Sequence, residues 1–320
     1  MLLGLHLSSE EYGPHELVEQ ARLAEEAGFD LLEISDHFHP WNDAQGQSPF
    51  VWSVIGALAS STSLPVMTAV TCPIMRMSPV LTAQAAATSA VLLGGRFRLG
   101  VGTGEALNEH IHGDAWPRAA VRREMLAEAV PIMRTLWTGA NVSFDGKHYT
   151  VDNARLYTLP EVPPEIWISG FGPDSVRLAA ELGDGYVTTS PELLTTYRSA
   201  GGEAPAAVGL KAAYAPTEEE GVEHAHRLWR NAGLPGELAQ ILPTPSHFEQ
   251  AAELITPEMT RSSIVCGPDV ERHIAAYEPY RDFDEVYVAP VGPHWREMIK
   301  YFGAEVLPEV RAGRMTEVAR

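Results

Sequence analysis

The chain predicts a (β/α)8 barrel, a TIM-type barrel, with insertions near residues 141–165 and 230–260. Three observations carry this expectation. Apolar strand-like segments and amphipathic helix-like segments alternate along the 320 residues. Eight strand-like segments centre near residues 3, 32, 67, 99, 167, 187, 210 and 287. Titratable side chains gather just after several of them, where a barrel keeps its chemistry. No Pro/Gly/Ser-rich linker interrupts the alternation, so one domain over 1–320 is expected. The competing architecture is a doubly wound open sheet. It is disfavoured because Ser8-Ser-Glu-Glu-Tyr-Gly13, not a Gly-rich phosphate loop, follows the first strand.

Each element has a local reason. Residues 2–7 are apolar and read as the first strand. Residues 14–27 place Leu17, Ala21, Leu23 and Ala24 at helical spacing, and Gly28 stops that helix. Strand 31–35, helix 50–59 and strand 64–70 follow. Residues 79–93 are Ala-rich and helical up to Gly94-Gly95, and strand 97–101 comes next. Residues 118–137 form a long helix, with Met125, Leu126, Ala129, Ile132, Met133 and Leu136 at helical spacing. Asp145-Gly146 between alternating residues marks a hairpin over 142–151, read as an insertion. Alternation resumes with strands 166–169, 186–189 and 207–214 and helices 174–182, 192–200 and 217–230. An irregular stretch, 233–245, precedes helices 247–254 and 270–280, strand 285–289 and helix 295–311.

Composition excludes several classes. A net charge of −19 with only Lys147, Lys211 and Lys300 as lysines argues against nucleic acid. No apolar run approaches membrane-spanning length, and the N-terminus does not read as a secretory signal. Cys72 and Cys266 give neither a disulfide framework nor zinc spacing, which fits a cytoplasmic setting.

Strand ends would bring together Ser8 and Glu10, then Asp36, His37 and Trp41, then Glu105 and Asn108. His37 is the candidate general base, oriented by Asp36 or Glu10. A structural histidine within a loop is the alternative. Glu105 becomes a proton donor if burial raises its pKa, and otherwise complements a helix N-terminus. Trp41 walls a pocket or packs in the core. Phe171-Gly172-Pro173-Asp174 opens a helix after a strand and could present N–H groups to a phosphate, with Arg177 nearby. Glu109, His110 and His112 are the only cluster hinting at a metal, and they lack zinc-site spacing, so no metal is expected.

Five stretches resemble the luciferase-like superfamily, in its deazaflavin (coenzyme F420)-dependent branch. They are Ser35-Asp-His-Phe-His-Pro-Trp41, Thr71-Cys-Pro-Ile-Met-Arg76, Gly100-Val-Gly-Thr-Gly-Glu-Ala-Leu-Asn-Glu109, Ala115-Trp-Pro117 and Gly183-Asp-Gly-Tyr-Val-Thr-Thr189. The resemblance implies a (β/α)8 fold and an oxidoreductase that moves hydride between coenzyme F420 and a hydroxyl or carbonyl substrate. FMN, used by a related branch of monooxygenases and reductases, is the alternative cofactor. It implies His37 as base, Trp41 holding it, Glu105 as proton donor and Glu10 near the substrate. Asp36, Cys72 and Asn108 would contact the cofactor, with a cis peptide at Ala69-Val70 behind its ring. Gly170, Phe171 and Gly172 would meet its phosphate, with Thr189 nearby. The Gly102-Thr-Gly104 turn then reads as room for a flat ring. Where the sugar-phosphate branch carries basic residues, an ungapped placement puts Glu192, Gln250 and Ser262, with Arg261 one position away as a possible substitute. That points from glucose 6-phosphate toward an alcohol, another sugar derivative or a lipid hydroxyl. A homodimer is expected from the resemblance, with the helices after the second and fourth strands as candidate contacts.

Overall fold

A computed structural model describes residues 1–314; the last six positions of the expected domain lie outside the described residues. The strands are β1 (Leu2–Leu7), β2 (Leu31–Ile34), β3 (Val66–Thr68), β4 (Phe97–Val101), β5 (Val142–Asp145), β6 (Thr150–Ala154), β7 (Ile166–Ser169), β8 (Gly185–Thr188), β9 (Ala206–Ala213), β10 (Val265–Cys266) and β11 (Glu285–Pro290). Eight of them, β1-β2-β3-β4-β7-β8-β9-β11, pair in parallel and close on themselves through β8–β9 and β11–β1. This is the predicted (β/α)8 barrel. The antiparallel β5–β6 hairpin stands apart as the foreseen first insertion.

The helices are α1 (Pro14–Ala27), α2 (Val51–Leu58), α3 (Pro79–Leu92), α4 (Ala106–Glu109), α5 (Ala119–Leu136), α6 (Pro173–Leu182), α7 (Leu193–Ser199), α8 (Glu218–Trp229), α9 (Leu238–Ile241), α10 (Pro245–Ala251), α11 (Pro257–Ser263), α12 (Val270–Ala275), α13 (Trp295–Tyr301) and α14 (Leu307–Arg311). Most match the sequence expectation to within a residue or two. Gly28 ends α1 at φ 87°, a left-handed conformation that glycine adopts without steric cost.

The differences have local causes. The expected helix 270–280 divides into α12 and a short 3-10 turn at Glu278–Tyr280, where Pro279 cannot donate to the helical ladder. The expected helix 295–311 passes through a π-helical turn at Phe302–Val306 just before Pro308. The second insertion holds α9, α11 and β10, which the sequence reading left out. α11 starts at Thr256-Pro257, the Thr256 hydroxyl capping the Met259 N–H, and β10 adds only two residues beside β9.

The barrel's lower interior is closed. A Cβ on Gly4 would stand 2.3 Å from the Tyr287 ring, so that ring fills the space below the mouth. Leu31, Met67, Trp167, Val187 and Ala207 complete this apolar plug. Arg98 makes a two-pronged pair with Glu285 at 2.7 and 2.9 Å and also meets the Tyr287 hydroxyl. Higher up, the His6 Nδ1 donates to Glu33 at 2.7 Å. The titratable groups considered below therefore lie above a sealed floor, at the C-terminal ends of the strands.

Candidate functional site at the barrel mouth

His37 follows β2, and its surroundings assign roles to its two nitrogens. Nδ1 donates to the His39 carbonyl at 3.2 Å, because a carbonyl oxygen can only accept. Nε2 then faces two carboxylates, Glu10 Oε1 at 3.3 Å and Glu105 Oε1 at 3.8 Å. Trp41 packs on the imidazole at 4.9 Å between ring centroids and lies edge-on to Phe248 of α10 at 5.0 Å. The second insertion thus walls this side of the mouth. Asn42 and Gln45 hold the same loop by donating to the Leu228 carbonyl, each at 2.9 Å.

Glu10 is buried, and its Oε2 accepts from the Ser35 hydroxyl at 2.6 Å. Burial pushes its pKa up. The charges of His37 and His6, with the Ser35 bond, outweigh that and hold it below the ordinary carboxylate value. Glu10 is therefore the nearer of the two carboxylates to the His37 Nε2 and the one held anionic. Asp36, the other expected partner, is engaged elsewhere: its Oδ1 is bound to Arg76 and its Oδ2 to the Thr71 hydroxyl, both at 2.8 Å.

Asn108 sits one turn into the segment after β4 and ties the two loops together. Its Oδ1 accepts from the N–H groups of Phe38 and His39 at 2.8 and 2.9 Å, and its Nδ2 donates to Glu105. Asn108 is fully enclosed, whereas the Glu105 side chain remains 23% exposed and faces the mouth.

The expected cis peptide between Ala69 and Val70 is present. The glycines opposite it do something other than expected. A Cβ on Gly102 would stand 2.8 Å from Val70, and one on Gly104, at φ 67°, would stand 2.5 Å from the Cys72 sulfur. Their missing side chains thus make room for Val70 and Cys72 rather than directly for a ring. Val70 stays half-buried at the mouth, while Cys72 turns beneath Gly104 and is buried. Burial, together with Glu109 and Glu105, pushes the Cys72 thiol well above its ordinary range.

At the other side, Gly172 precedes α6, and nothing lies within 4 Å of where its Cβ would stand. The backbone there is open, next to an exposed Phe171. Arg123 and Arg177 both pair with Asp174 in the first turn of α6. Gly170 turns more tightly, its N–H bonded to Val187 and its carbonyl accepting from Tyr186. Thr189 is exposed just past β8. Of the positions compared with the sugar-phosphate branch, Glu192, Gln250 and Ser262 are exposed, and Arg261 pairs with Glu218 at 3.3 Å.

The sequence reading missed two basic residues. Arg76 reaches Glu109 through its backbone N–H at 2.8 Å and its Nε at 3.3 Å, besides Asp36. Burial pushes Glu109 up to about 7, against the pull of Arg76. Two carboxylates expected near strand ends call for a cation, and Arg76 lay inside a stretch already singled out. Lys211 of β9 points into the barrel with its ammonium 4.4 Å over the Trp229 ring. Burial lowers its pKa, with Glu10, Glu33 and Glu11 acting the other way. Its neighbours Leu210 and Ala212 are apolar, so only barrel geometry reveals that it faces inward. The Glu109, His110 and His112 cluster does not form one ligand set, since Glu109 is bound to Arg76 and the His110 Nδ1 to the Ala106 carbonyl.

Residues 3–283 match the model of a family described as luciferase-like monooxygenase. An F420-dependent glucose-6-phosphate dehydrogenase from Microbacterium testaceum is 34% identical, over 96% of this chain and 97% of that one. An F420-dependent hydroxymycolic acid dehydrogenase from Mycobacterium tuberculosis is also 34% identical, over 97% of this chain and 88% of that one. A solved F420-dependent secondary alcohol dehydrogenase, in complex with an F420-acetone adduct, superposes with a TM-score of 0.89 at 31% identity, covering 97% of this chain and 99% of its own.

Proposed function

The chain belongs to the luciferase-like monooxygenase family, and on that premise we propose that it works as a coenzyme F420-dependent oxidoreductase acting on a phosphate-free secondary alcohol or the matching ketone. The observation that carries this reading is the His37 Nε2, held between Glu10 and Glu105 while Nδ1 is committed to a carbonyl.

The residues present suit the cofactor. Val70, carried on the cis peptide, offers a half-buried apolar surface at the mouth, and the open backbone at Gly172 starts a helix whose first N–H groups suit a phosphate. Ala69 and Val70 would back the ring, with Cys72 enclosed beneath Gly104 rather than at the ring itself, Asp36 and Asn108 would hold the loops against it, and Gly170, Phe171, Gly172 and Thr189 would border its phosphate. Bound there, coenzyme F420 supplies a hydride acceptor and, reduced, a hydride donor.

The protein's own part is proton handling and positioning. His37 accepts the substrate hydroxyl proton at Nε2, and the anionic Glu10 stabilises the imidazolium that results. Trp41 restrains the imidazole, and Glu105, with Asn108 donating to its carboxylate, faces the cofactor side of the mouth as the proton-transferring group the resemblance implies. The substrate reading rests on the rim: Glu192, Gln250 and Ser262 are not cationic, and Arg261 is engaged by Glu218. A single-domain homodimer in a reducing compartment belongs to the same reading. Leu81 and Leu92, exposed on α3 after the third strand rather than on the helices after the second and fourth, support a subunit contact, and Cys72 and Cys266 are unpaired and buried.

Parallel titrations with coenzyme F420 and FMN, followed by turnover with secondary alcohols and with glucose 6-phosphate, test the proposal. F420 binding and alcohol turnover are expected. Submicromolar FMN binding without F420 binding would replace it with the flavin alternative. Light scattering after size exclusion reads the subunit number.

A further inference from the structure

We propose that Glu220, His224 and His294 form a binding site for a divalent transition metal, Zn2+ or a borderline neighbour, on the outer rim of the catalytic face. Glu220 and His224 are four residues apart on α8 and therefore share one face of that helix. His294 comes from the loop after β11, as the residue that precedes α13. The tertiary fold alone brings it to the helix. Oε1 of Glu220 lies 3.1 Å from the Nε2 of His294 and 3.7 Å from the Nε2 of His224. One ligand atom from each residue fits within a 4.8 Å span. A tetrahedral ion with bonds of about 2.1 Å separates its ligand atoms by roughly 3.4 Å, so these positions need only small side-chain rotations.

An independent observation points to a ligand. The Nε2 of His224 is sealed from solvent and has no hydrogen-bond partner, since 3.7 Å to Glu220 is too long for one. A buried imidazole nitrogen without a partner is unusual, and a metal ion would satisfy it. A simple surface ion pair would engage Glu220 with His294 and leave His224 as it is. The donor set selects the metal class. Two imidazoles and one carboxylate suit Zn2+ and related ions, whereas Mg2+ and Ca2+ require oxygen ligands. All three residues are partly exposed, which leaves a position for water.

The site has a structural consequence. The loop ending at His294 contains Gly292, whose N–H donates to Glu11 at 2.6 Å and whose carbonyl accepts from Tyr12 at 2.9 Å. An ion joining α8 to this loop would fix the segment that packs beside Glu10.

The test uses the full chain, stripped of metal with a chelator and titrated with Zn2+ by calorimetry without cofactor. One equivalent is expected to bind and to raise the thermal midpoint, while Mg2+ does neither. His224→Ala, His294→Ala and Glu220→Gln should each weaken binding by more than about tenfold, a loss that removal of an outer partner alone can produce. His148→Ala, at a separate two-residue pair with Glu124, should bind Zn2+ as the parent does. Matching midpoints of the metal-free proteins establish that the variants fold, and Glu220→Gln, nearly isosteric, carries the prediction if a histidine variant does not. Failure of the parent to bind one equivalent, or binding unchanged in all three variants, overturns the proposal.

Discussion

Arg76 donates from its guanidinium to Oδ1 of Asp36 at 2.8 Å, across 40 positions of sequence, and so joins the loop after β3 to the loop that carries His37. Arg76 also holds Glu109, so one side chain, 7% exposed, connects three strand ends. Replacing it by alanine strands two buried carboxylates. Arg76→Ala should therefore lower stability by about 3–5 kcal/mol, read by denaturant unfolding. Arg76→Lys should lose less, but still a measurable amount, because a lysine cannot reproduce the fork.

His37→Ala should reduce turnover by roughly 10²–10⁴-fold, the range for removing a positioned general base. Cofactor affinity should stay close to that of the parent, because the loop is also held through Asn108. Stopped-flow reduction and a binding titration separate the two. Near-normal turnover would remove His37 from the proposed chemistry.

Gly104→Ala should destabilise the turn before Glu105 in two ways. The left-handed backbone costs about 1 kcal/mol, and the new Cβ would stand 2.5 Å from the Cys72 sulfur. Cys72→Ala in the same chain should relieve the sulfur contact and leave the backbone cost with the remaining close approaches to the Cys72 Cβ and the Glu109 Cγ, at 3.1 and 3.2 Å. A double-mutant cycle on unfolding free energies measures the coupling, and strict additivity would show that the two residues do not interfere.

Glu11 gives a pH dependence of defined sign. Burial raises its pKa from 4.5 to about 7, although Trp229 and Gly292 donate to it, each at 2.6 Å. Between those values the folded form keeps a proton that the unfolded chain loses. Its contribution is thus fully favourable below about 4.5 and declines as pH rises to about 7, by up to roughly 3 kcal/mol. Glu11→Gln should remove this part of the slope in stability plotted against pH, whatever its effect on absolute stability. An unchanged slope would mean that Glu11 is ionised in the folded protein.

Arg261→Ala should leave kcat/KM for a secondary alcohol within about threefold and stability within about 0.5 kcal/mol, because its pair with Glu218 is exposed. A large loss confined to phosphorylated substrates would instead assign Arg261 to a phosphate.

The eight barrel strands were legible in the sequence because each is a short apolar run between helix signals, and burial on both faces demands that composition. Position along the chain also placed Glu10, His37 and Glu105 after strand ends. It did not reveal which carboxylate meets the imidazole. Asp36 is adjacent to His37 in sequence, yet its carboxylate is bound to Arg76 and Thr71, whereas Glu10 approaches from another strand. The glycines after β4 were recognised as sites of close approach, but only the packing identified Val70 and Cys72 as what approaches. Within the second insertion only helix 247–254 was legible, as α10 and the short turn after it, since α9, α11 and β10 are too short for periodicity to register.

The sequence by itself determined the barrel, its first insertion and the strand ends that carry the chemistry, because local hydrophobic pattern and turn residues encode these. Tertiary structure alone decided the pairing of His37 with Glu10, the linkage through Arg76 and Asn108, the inward turn of Lys211 and the meeting of His294 with α8. Each of these joins segments distant along the chain, and such contacts are fixed by barrel closure and packing rather than by any local pattern.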